Sequence, residues 1–211
     1  MDSDIATLTD GVISDELRTY GASATDQVCL AIRAYIPLLL RWNRRISLTT
    51  VTDPLQILRF HFGESMFASR VIANRNGRLA DVGSGAGFPG IPLKLLIPTL
   101  DIVLIEPNAK KAAFLAEVVR ELKLDSVEVY RGRFDGLTAG SGFDYITARA
   151  LGMHEDLARW SREAVSVGGS LILWLGEEDA VNVSLQKSWR WSKPILIPGS
   201  HSRVLLASSA I

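Results

Sequence analysis

The chain has 211 residues, of which 47% are hydrophobic and 22% charged, and its formal net charge is zero. This size and composition predict a soluble globular protein that folds without disulfides or metal ions, with one domain as the default. Its single cysteine, Cys29, excludes a disulfide framework or a zinc or iron–sulfur cluster, and no apolar run approaches the ~20 residues of a membrane span.

The charges are unevenly distributed along the chain. Residues 1–30 carry six acids and one base, whereas residues 41–78 carry seven arginines and two acids. An asymmetry of this kind permits a polyanionic partner such as RNA. The N-terminus lacks the features of a signal peptide, so we expect a cytoplasmic protein with no membrane partner. Three arginines are candidates for phosphate contacts: Arg44, Arg45 and Arg59.

The first third of the chain is predicted to be helical, with a short helix at 14–20 and longer ones at 25–45 and 53–72. Apolar residues recur at helical spacing in the second of these. Pro37 is expected to kink this helix or to mark a boundary within it. Asp53 followed by Pro54 is a strong helix start, and the segment 46–51 before it is predicted to be loop or short strand.

From residue 79 onwards strands and helices alternate, which predicts a parallel sheet covered by helices on both faces. The segment 193–207 is expected to form an antiparallel hairpin, and Gly168-Gly169 a turn before the fifth strand. The predicted strands are 79–81, 102–105, 127–131, 143–147, 170–175, 193–197 and 203–207, and helices lie after the glycine-rich loop and at 109–122, 155–164 and 178–187. We therefore predict an α/β fold with a doubly wound, mostly parallel seven-stranded sheet in residues 76–211. A helical extension in residues 1–75 precedes it, in one compact unit.

Residues 79–106 have the order strand, glycine loop, helix, strand and acid, which is the first half of a nucleotide-binding α/β unit. A P-loop is excluded because Ile91-Pro92 occupies the positions that need lysine and serine or threonine. A G-x-G-x-x-G pattern is present, but it lies two residues away from the strand end and contains Pro89. No tyrosine has a lysine four residues further on, as a short-chain reductase would require.

The best fit is Asp81-x-Gly83-x-Gly85-x-Gly87, which resembles motif I of the S-adenosylmethionine methyltransferases. The glycines let the backbone pass close to the methionine and ribose portions of that cofactor. Glu106, at the end of the next strand, can accept hydrogen bonds from both ribose hydroxyls. We therefore predict an S-adenosyl-L-methionine site at these five residues.

Further motifs lie on both sides of this loop: FPGIP at 88–92, Lys110-Lys111-x-x-Phe114-Leu115, Thr147-Ala148-Arg149-Ala150, Trp42-Asn43, Leu48-Thr49, Asp53-Pro54, and His61 with Ser65. Together they resemble the bacterial 16S ribosomal RNA guanine-N7 methyltransferases, also called glucose-inhibited division protein B, over roughly residues 35–210. The resemblance implies a Rossmann-like class I methyltransferase that methylates N7 of a guanine in 16S ribosomal RNA. It implies ribosomal RNA or the small ribosomal subunit as partner, and we expect a monomer.

The resemblance also assigns roles to single residues. It implies cofactor contacts at Gly83, Phe88, Phe134 and Asp135, and it places Arg149 facing the cofactor or the target base. His61 and Lys110 join the three arginines as substrate-binding candidates.

Four positions depart from the family pattern: Phe60 replaces an arginine, Glu64 an aspartate, Ser47 an asparagine and Leu175 a lysine. The departures fall mainly outside the cofactor motifs, in the part of the resemblance that concerns substrate binding. Two alternatives therefore stay open. One is a methyltransferase of the same fold that acts on a small molecule or a protein, and the other is a non-catalytic, cofactor-binding assembly factor.

The expected chemistry needs few protein groups. Guanine N7 has an accessible lone pair, so its methylation requires no general base. We expect the rate acceleration to come from in-line alignment of the cofactor and the base and from exclusion of water. The sequence has no N-P-P-aromatic motif for exocyclic amines, and Cys29 lies too far upstream to act as a cytosine-C5 nucleophile. We assign no catalytic residue and no metal site.

Overall fold

The computed structural model describes residues 8–137, 142–149, 152, 154–185 and 189–210. The helices before the first strand are α1 (Asp10–Thr19), α2 (Asp26–Asn43) and a contiguous helical run made of α3 (Pro54–Ile57), a π-helix (Leu58–Gly63), α4 (Glu64–Met66) and a 3-10 helix (Phe67–Val71). Within the described ranges, no helix is both long and apolar enough to cross a bilayer.

The side chains of Thr9, Thr25 and Asp53 cap the first three helices by accepting hydrogen bonds from backbone N–H groups. The start of α3 is thereby confirmed, whereas α1 begins four residues earlier than predicted because Thr9 caps it. Pro37 lies inside α2 rather than at either end.

The described residues form eight strands in one sheet, in the order β3-β2-β1-β4-β5-β8-β6, with β7 paired to β8. The strands are β1 (Arg78–Val82), β2 (Asp101–Ile105), β3 (Val127–Tyr130), β4 (Phe143–Arg149), β5 (Val165–Gly176), β6 (Trp189–Trp191), β7 (Ile195–Leu196) and β8 (Arg203–Ala210). Strands β1 to β5 run parallel, and β8 is antiparallel to β5, β6 and β7. The doubly wound, mostly parallel sheet and the final hairpin are confirmed. The count of seven is one short, because β6 was not predicted.

The helices between these strands are α5 (Gly90–Leu96), α6 (Ala109–Glu121), a 3-10 helix (Phe134–Gly136), α7 (His154–Ala164) and α8 (Glu177–Ser184). The order of the four α-helices matches the prediction, whereas the 3-10 helix was not predicted; Asn108 caps α6. The predicted last helix ended at Lys187, which lies outside the described residues, as does Ala150 of the fourth-strand motif.

Strand β5 differs from the prediction at its start. It begins at Val165 instead of Ser170, and Gly168-Gly169 lies within it. Between the pairs Phe143–Val165 and Tyr145–Ser170 the register shifts, and Gly168 has a φ of 79°. The glycine pair therefore makes a bulge in a continuous strand, because glycine can adopt the left-handed conformation that the bulge requires.

Two hydrophobic clusters cover the two faces of the sheet. Because successive strand residues point to opposite faces, Ile102 and Leu104 pack in the cluster that contains α1 and α2, while Val103 and Ile105 pack in the other. The N-terminal helices therefore pack on the sheet and bring residues 43–65 to its carboxyl edge. A domain division at residue 75 stays a prediction.

Candidate active site

The glycine loop leaves β1 at the carboxyl edge of the sheet. Gly83, Gly85 and Gly87 have φ angles of 71°, 55° and 82°, a region that residues with a Cβ rarely adopt. The N–H groups of Gly83 and Ser84 both donate to the carbonyl of Ile105, at 2.9 and 3.1 Å, which fixes the loop to the end of β2. Gly83 and Gly85 remain partly exposed, so their backbone is accessible to a ligand.

Asp81 supports this loop from inside the protein. Its carboxylate is fully buried and accepts hydrogen bonds from Gly90 N at 3.1 Å and from Thr147 Oγ1 at 3.0 Å. Burial raises the pKa of Asp81 to about 6, although these hydrogen bonds act to lower it. Its carboxylate therefore links the loop, α5 and β4, and direct contact with a cofactor stays a prediction.

Gly90 is required by close packing. A Cβ at this position would lie 2.5 Å from Leu104 Cδ2 and 2.8 Å from Asp81 Oδ2, closer than side chains approach one another. The first turn of α5 can therefore reach the Asp81 carboxylate only without a side chain.

Glu106 lies at the end of β2, beside the loop. Its Oε2 accepts from Gly85 N at 2.9 Å, its Oε1 accepts from Asn108 N at 2.8 Å, and the residue is 5% exposed. Each carboxylate oxygen can accept two hydrogen bonds, so one position on each remains for a ligand hydroxyl. The predicted binding of two ribose hydroxyls is therefore compatible with this geometry.

Tyr35 is a supporting residue that the sequence did not single out. Its hydroxyl donates to the carbonyl of Ala86 in the glycine loop, and its ring lies 5.6 Å from that of Phe88. Burial raises the pKa of the Tyr35 hydroxyl, which keeps it protonated as a donor. Helical periodicity predicted a core position on α2, but no sequence signal indicated its contact with the loop.

His61 stacks on Phe88, with ring centroids 4.7 Å apart and an interplanar angle of 30°. Its Nε2 lies 2.7 Å from Thr49 Oγ1, and burial, with Arg149 as a second cause, lowers the pKa of His61 to about 4. The imidazole is therefore neutral at pH 7. The structure brings His61 and Phe88 together at the loop, and their predicted ligand contacts remain predictions.

The loop that carries Thr49 is folded by Asn43. Asn43 Oδ1 accepts from the N–H groups of Leu48 and Thr49, at 2.8 and 3.0 Å, and its Nδ2 donates to the Thr49 carbonyl at 2.8 Å. The W-N and L-T motifs therefore act as one unit that places the threonine hydroxyl against His61.

Arg149 ends β4 and turns towards the π-helix and α4. It donates to the Phe60 carbonyl at 2.6 Å and to Glu64 Oε2 at 3.0 Å. Glu64 is only 1% exposed, and its carbonyl accepts from Trp174 Nε1 at 2.8 Å. Burial raises the pKa of Glu64, whereas Arg149 lowers it. Glu64, which stands where the family pattern has aspartate, thus retains a carboxylate. This carboxylate orients Arg149.

The two predicted cofactor residues after β3 have separate environments. Phe134 is buried and lies 5.3 Å from the Trp160 ring, so it packs in the core. Asp135 is exposed and forms an ion pair with Arg133 at 3.1 Å. Both follow the carboxyl end of β3, the sheet edge at which the glycine loop also lies. Their contact with a cofactor stays a prediction.

The predicted substrate residues other than His61 lie on three separate segments: the end of α2, the π-helix and the start of α6. Arg59 donates to both carboxylate oxygens of Glu16, at 2.7 and 2.5 Å, so part of the basic region is neutralised by α1. Arg44 and Arg45 are exposed after α2, and Lys110 is exposed in the first turn of α6. Across the described ranges, no three His, Cys, Asp or Glu side chains are grouped as ligands for a metal ion.

Comparison with known sequences gives a consistent result. The model of a family described as "GidB: rRNA small subunit methyltransferase G" matches residues 29–194. The ribosomal RNA small subunit methyltransferase G of Xylella fastidiosa strain 9a5c is 42% identical over 139 residues, which are 66% of this chain and 61% of that protein. The protein of the same name from Xanthomonas axonopodis pv. citri strain 306 is 35% identical over 168 residues, 78% of each chain. The match thus covers less than two thirds of the Xylella protein's length.

Solved structures show the same fold. A SAM-dependent methyltransferase from Aquifex aeolicus has a TM-score of 0.56 and 15% identity, covering 68% of this chain and 89% of that one. M. jannaschii TYW2 in complex with AdoMet has a TM-score of 0.59 and 14% identity, covering 80% of each chain. At these identities the likeness establishes the architecture, and it agrees with the predicted fold.

Proposed function

Because the chain belongs to the rRNA small subunit methyltransferase G family, we propose that it transfers a methyl group from S-adenosyl-L-methionine to N7 of a guanine in 16S ribosomal RNA. The observation that carries the proposal is the pair Gly85 and Glu106 at the carboxyl edge of β1 and β2. There, a left-handed glycine turn is hydrogen-bonded to a carboxylate that retains acceptor positions.

The residues of this edge suit that cofactor. The open backbone at Gly83 and Gly85 lets a ligand approach without meeting a side chain, and Glu106 can accept from ribose hydroxyls. Tyr35 and Asp81 fix the loop through Ala86 and Gly90, so the cradle exists before a ligand arrives. We assign the cofactor site to the loop and Glu106, with Phe134, Asp135 and Arg149 as proposed flanking contacts.

The acceptor side needs alignment rather than proton transfer. When bound, S-adenosyl-L-methionine supplies an electrophilic methyl group, and N7 of guanine offers a lone pair that carries no proton. His61 and Phe88 form a stacked aromatic pair beside the loop, and His61 is neutral at pH 7. Such a pair can pack against an unstacked base, the usual mode of sequence-specific RNA recognition.

The proposed partner is ribosomal RNA, either free or in the small ribosomal subunit. Arg44, Arg45 and Lys110 are exposed and are the proposed phosphate contacts, whereas Arg59 would first have to leave Glu16. We further propose a monomer that works in the cytoplasm.

Calorimetry with S-adenosylhomocysteine tests the cofactor half of the proposal. We expect micromolar binding by the unaltered protein and clear weakening in Glu106→Ala. Failure to bind at these concentrations, or equal binding by the variant, would contradict the assigned site. Thermal melting of both proteins checks that the comparison is made between folded chains.

Transfer of tritium from labelled cofactor tests the acceptor. We expect incorporation into RNA of isolated small ribosomal subunits or of free 16S RNA, and an RNA affinity that falls steeply with salt. Label in protein or in a small molecule would favour a different methyltransferase of this fold. Cofactor binding without any transfer would favour a non-catalytic assembly factor.

A further inference from the structure

Arg203 lies at the same sheet edge as Arg149, although the two are far apart in the sequence. Strand β8 begins at Arg203, which pairs with Gly176 at the carboxyl end of β5, while Arg149 pairs with Trp174. Arg203 Nη2 lies 2.6 Å from Glu64 Oε1, on the carboxylate whose other oxygen binds Arg149. One buried carboxylate therefore lies between two guanidinium groups.

This cluster carries a surplus of positive charge. Arginine stays protonated in proteins, so two guanidinium groups and one ionised carboxylate leave a net charge of +1. The side chain of Glu64 is 1% exposed, that of Arg149 16% and that of Arg203 44%. Glu64 and Arg149 form the inner pair, and Arg203 presents the surplus charge to solvent. Neutral His61 adds no charge to the cluster.

The two arginines are held differently. Arg149 donates aligned hydrogen bonds to Glu64 Oε2 and to the Phe60 carbonyl, whereas Glu64 Oε1 has no aligned hydrogen-bond donor among the described residues. Arg203 is held by ion pairing and by the Phe60 ring, whose centroid is 5.2 Å from its Cζ. Its N–H groups are therefore available to an anion while Glu64 stays paired with Arg149.

We propose that Arg203 is an anion-binding residue of the acceptor site and that it binds an RNA phosphate next to the target guanine. Glu64 and Phe60 position its guanidinium, whose planar set of donors matches phosphate oxygens. The cluster lies beside the glycine loop, because Ala148, the residue before Arg149, pairs with Val82, the last residue of β1. This inference rests on the proposed function and names the part of its site that receives the RNA backbone.

The test compares Arg203→Gln with Arg190→Gln, a control at an exposed arginine of β6. We expect Arg203→Gln to lower the salt dependence of RNA binding by about one phosphate contact, and to raise the KM for the RNA substrate roughly tenfold. The kcat and the affinity for S-adenosylhomocysteine should stay within about twofold. Arg190→Gln should behave as the unaltered protein. An unchanged salt slope in Arg203→Gln, or an equal loss in the control, would overturn the proposal.

Two further variants separate the charge from the fold. Phe60→Arg combined with Arg203→Gln puts a guanidinium at the side chain over which Arg203 now lies, and it should restore most of the lost salt dependence. Arg203→Lys keeps the charge without the planar donors, so it should keep the slope but raise KM. Arg203→Lys also remains informative if Arg203→Gln does not fold, since loss of the salt dependence in folded Arg203→Lys would contradict the proposal.

Absence of methyl transfer or of RNA binding by the unaltered protein would instead refute the proposed function.

Discussion

Two halves of one sheet edge differ in how their polar groups are paired. In the loop half, residues 81–90 with Glu106, the carboxylate oxygens of Asp81 and Glu106 accept hydrogen bonds from backbone N–H groups and a threonine hydroxyl. In the acceptor half, residues 60–65 with Arg149 and Arg203, one carboxylate is shared by two guanidinium groups. The loop half is a preorganised backbone cradle for the proposed cofactor. The acceptor half keeps a positive charge available to an anion.

The difference predicts a division of labour. Substitutions in the loop half should lower cofactor affinity and stability together, because the same hydrogen bonds maintain the cradle and the fold. Substitutions in the acceptor half other than at Arg149, which also flanks the proposed cofactor site, should lower RNA affinity or transfer rate while cofactor affinity stays nearly constant. A variant in one half that produced the effect predicted for the other half would contradict this division.

Gly90→Ala should have the largest effect, because its Cβ would overlap Leu104 and the Asp81 carboxylate. Overpacking of this kind costs about 1–3 kcal/mol of stability, and displacement of the loop should reduce S-adenosylhomocysteine affinity by roughly two orders of magnitude. Thermal melts and calorimetry measure the two effects. Gly176→Ala is the matched control, since a Cβ there meets no atom within 4 Å; equal behaviour of the two variants would contradict the role of Gly90.

Glu106→Gln should have the next largest effect. An amide can accept only one of the two backbone hydrogen bonds from Gly85 and Asn108 and presents its NH₂ group to the other donor. A buried donor without a partner costs about 1–3 kcal/mol, so S-adenosylhomocysteine should bind about thirtyfold more weakly in calorimetry. The exposed carboxylate of Glu128 on β3 provides the control variant Glu128→Gln, which should bind normally.

Thr49→Val should have a smaller effect, confined to the acceptor half. It removes the hydroxyl that lies 2.7 Å from His61 Nε2 and also accepts from Val51 N at 3.1 Å, while keeping the side-chain shape. The loss of about 1 kcal/mol should slow methyl transfer roughly fivefold and leave cofactor affinity unchanged. Thr50→Val, at an exposed neighbouring threonine, is the control. A fall in cofactor affinity as large as the fall in rate would break the proposed division.

The pH dependence should be the weakest effect. Burial lowers the pKa of His61 from 6.5 to about 4, so the folded protein holds this imidazole neutral throughout pH 6–8. Between pH 7 and pH 8, where the Asp81 carboxylate with its pKa of about 6 is also ionised, single-turnover transfer rates should therefore change less than about twofold. An inflection near pH 6.5 that disappears in His61→Asn would show that His61 titrates during the reaction.

The loop half was predictable from sequence because it is contiguous. Asp81 to Gly90 and Glu106 lie within one strand–loop–helix–strand unit, whose glycine spacing indicates its conformation directly. The same local signals predicted the caps at Asp53 and Asn108. Strand β6 was missed because its three residues gain regular structure only by pairing with β8.

The acceptor half was harder because its members are distant in sequence. Position 203 has no local pattern, and its relation to Glu64 depends on where β8 adds to the sheet. The resemblance identified Phe60 as the loss of an arginine, but the structure shows a second guanidinium over that same ring. Arg59 was a reasonable phosphate candidate by charge alone, whereas the fold pairs it with Glu16.

The most direct test of the central claim is to map the labelled methyl group in 16S ribosomal RNA after reaction with unmethylated small subunits. Borohydride–aniline cleavage, which breaks the chain at N7-methylguanosine, combined with nucleoside mass spectrometry, identifies both the position and the modified atom. We predict one new N7-methylguanosine in 16S RNA, formed by the unaltered protein and lost in Glu106→Ala. Label on an exocyclic amine, on a ribose, on ribosomal protein or on no ribosomal component would contradict the account.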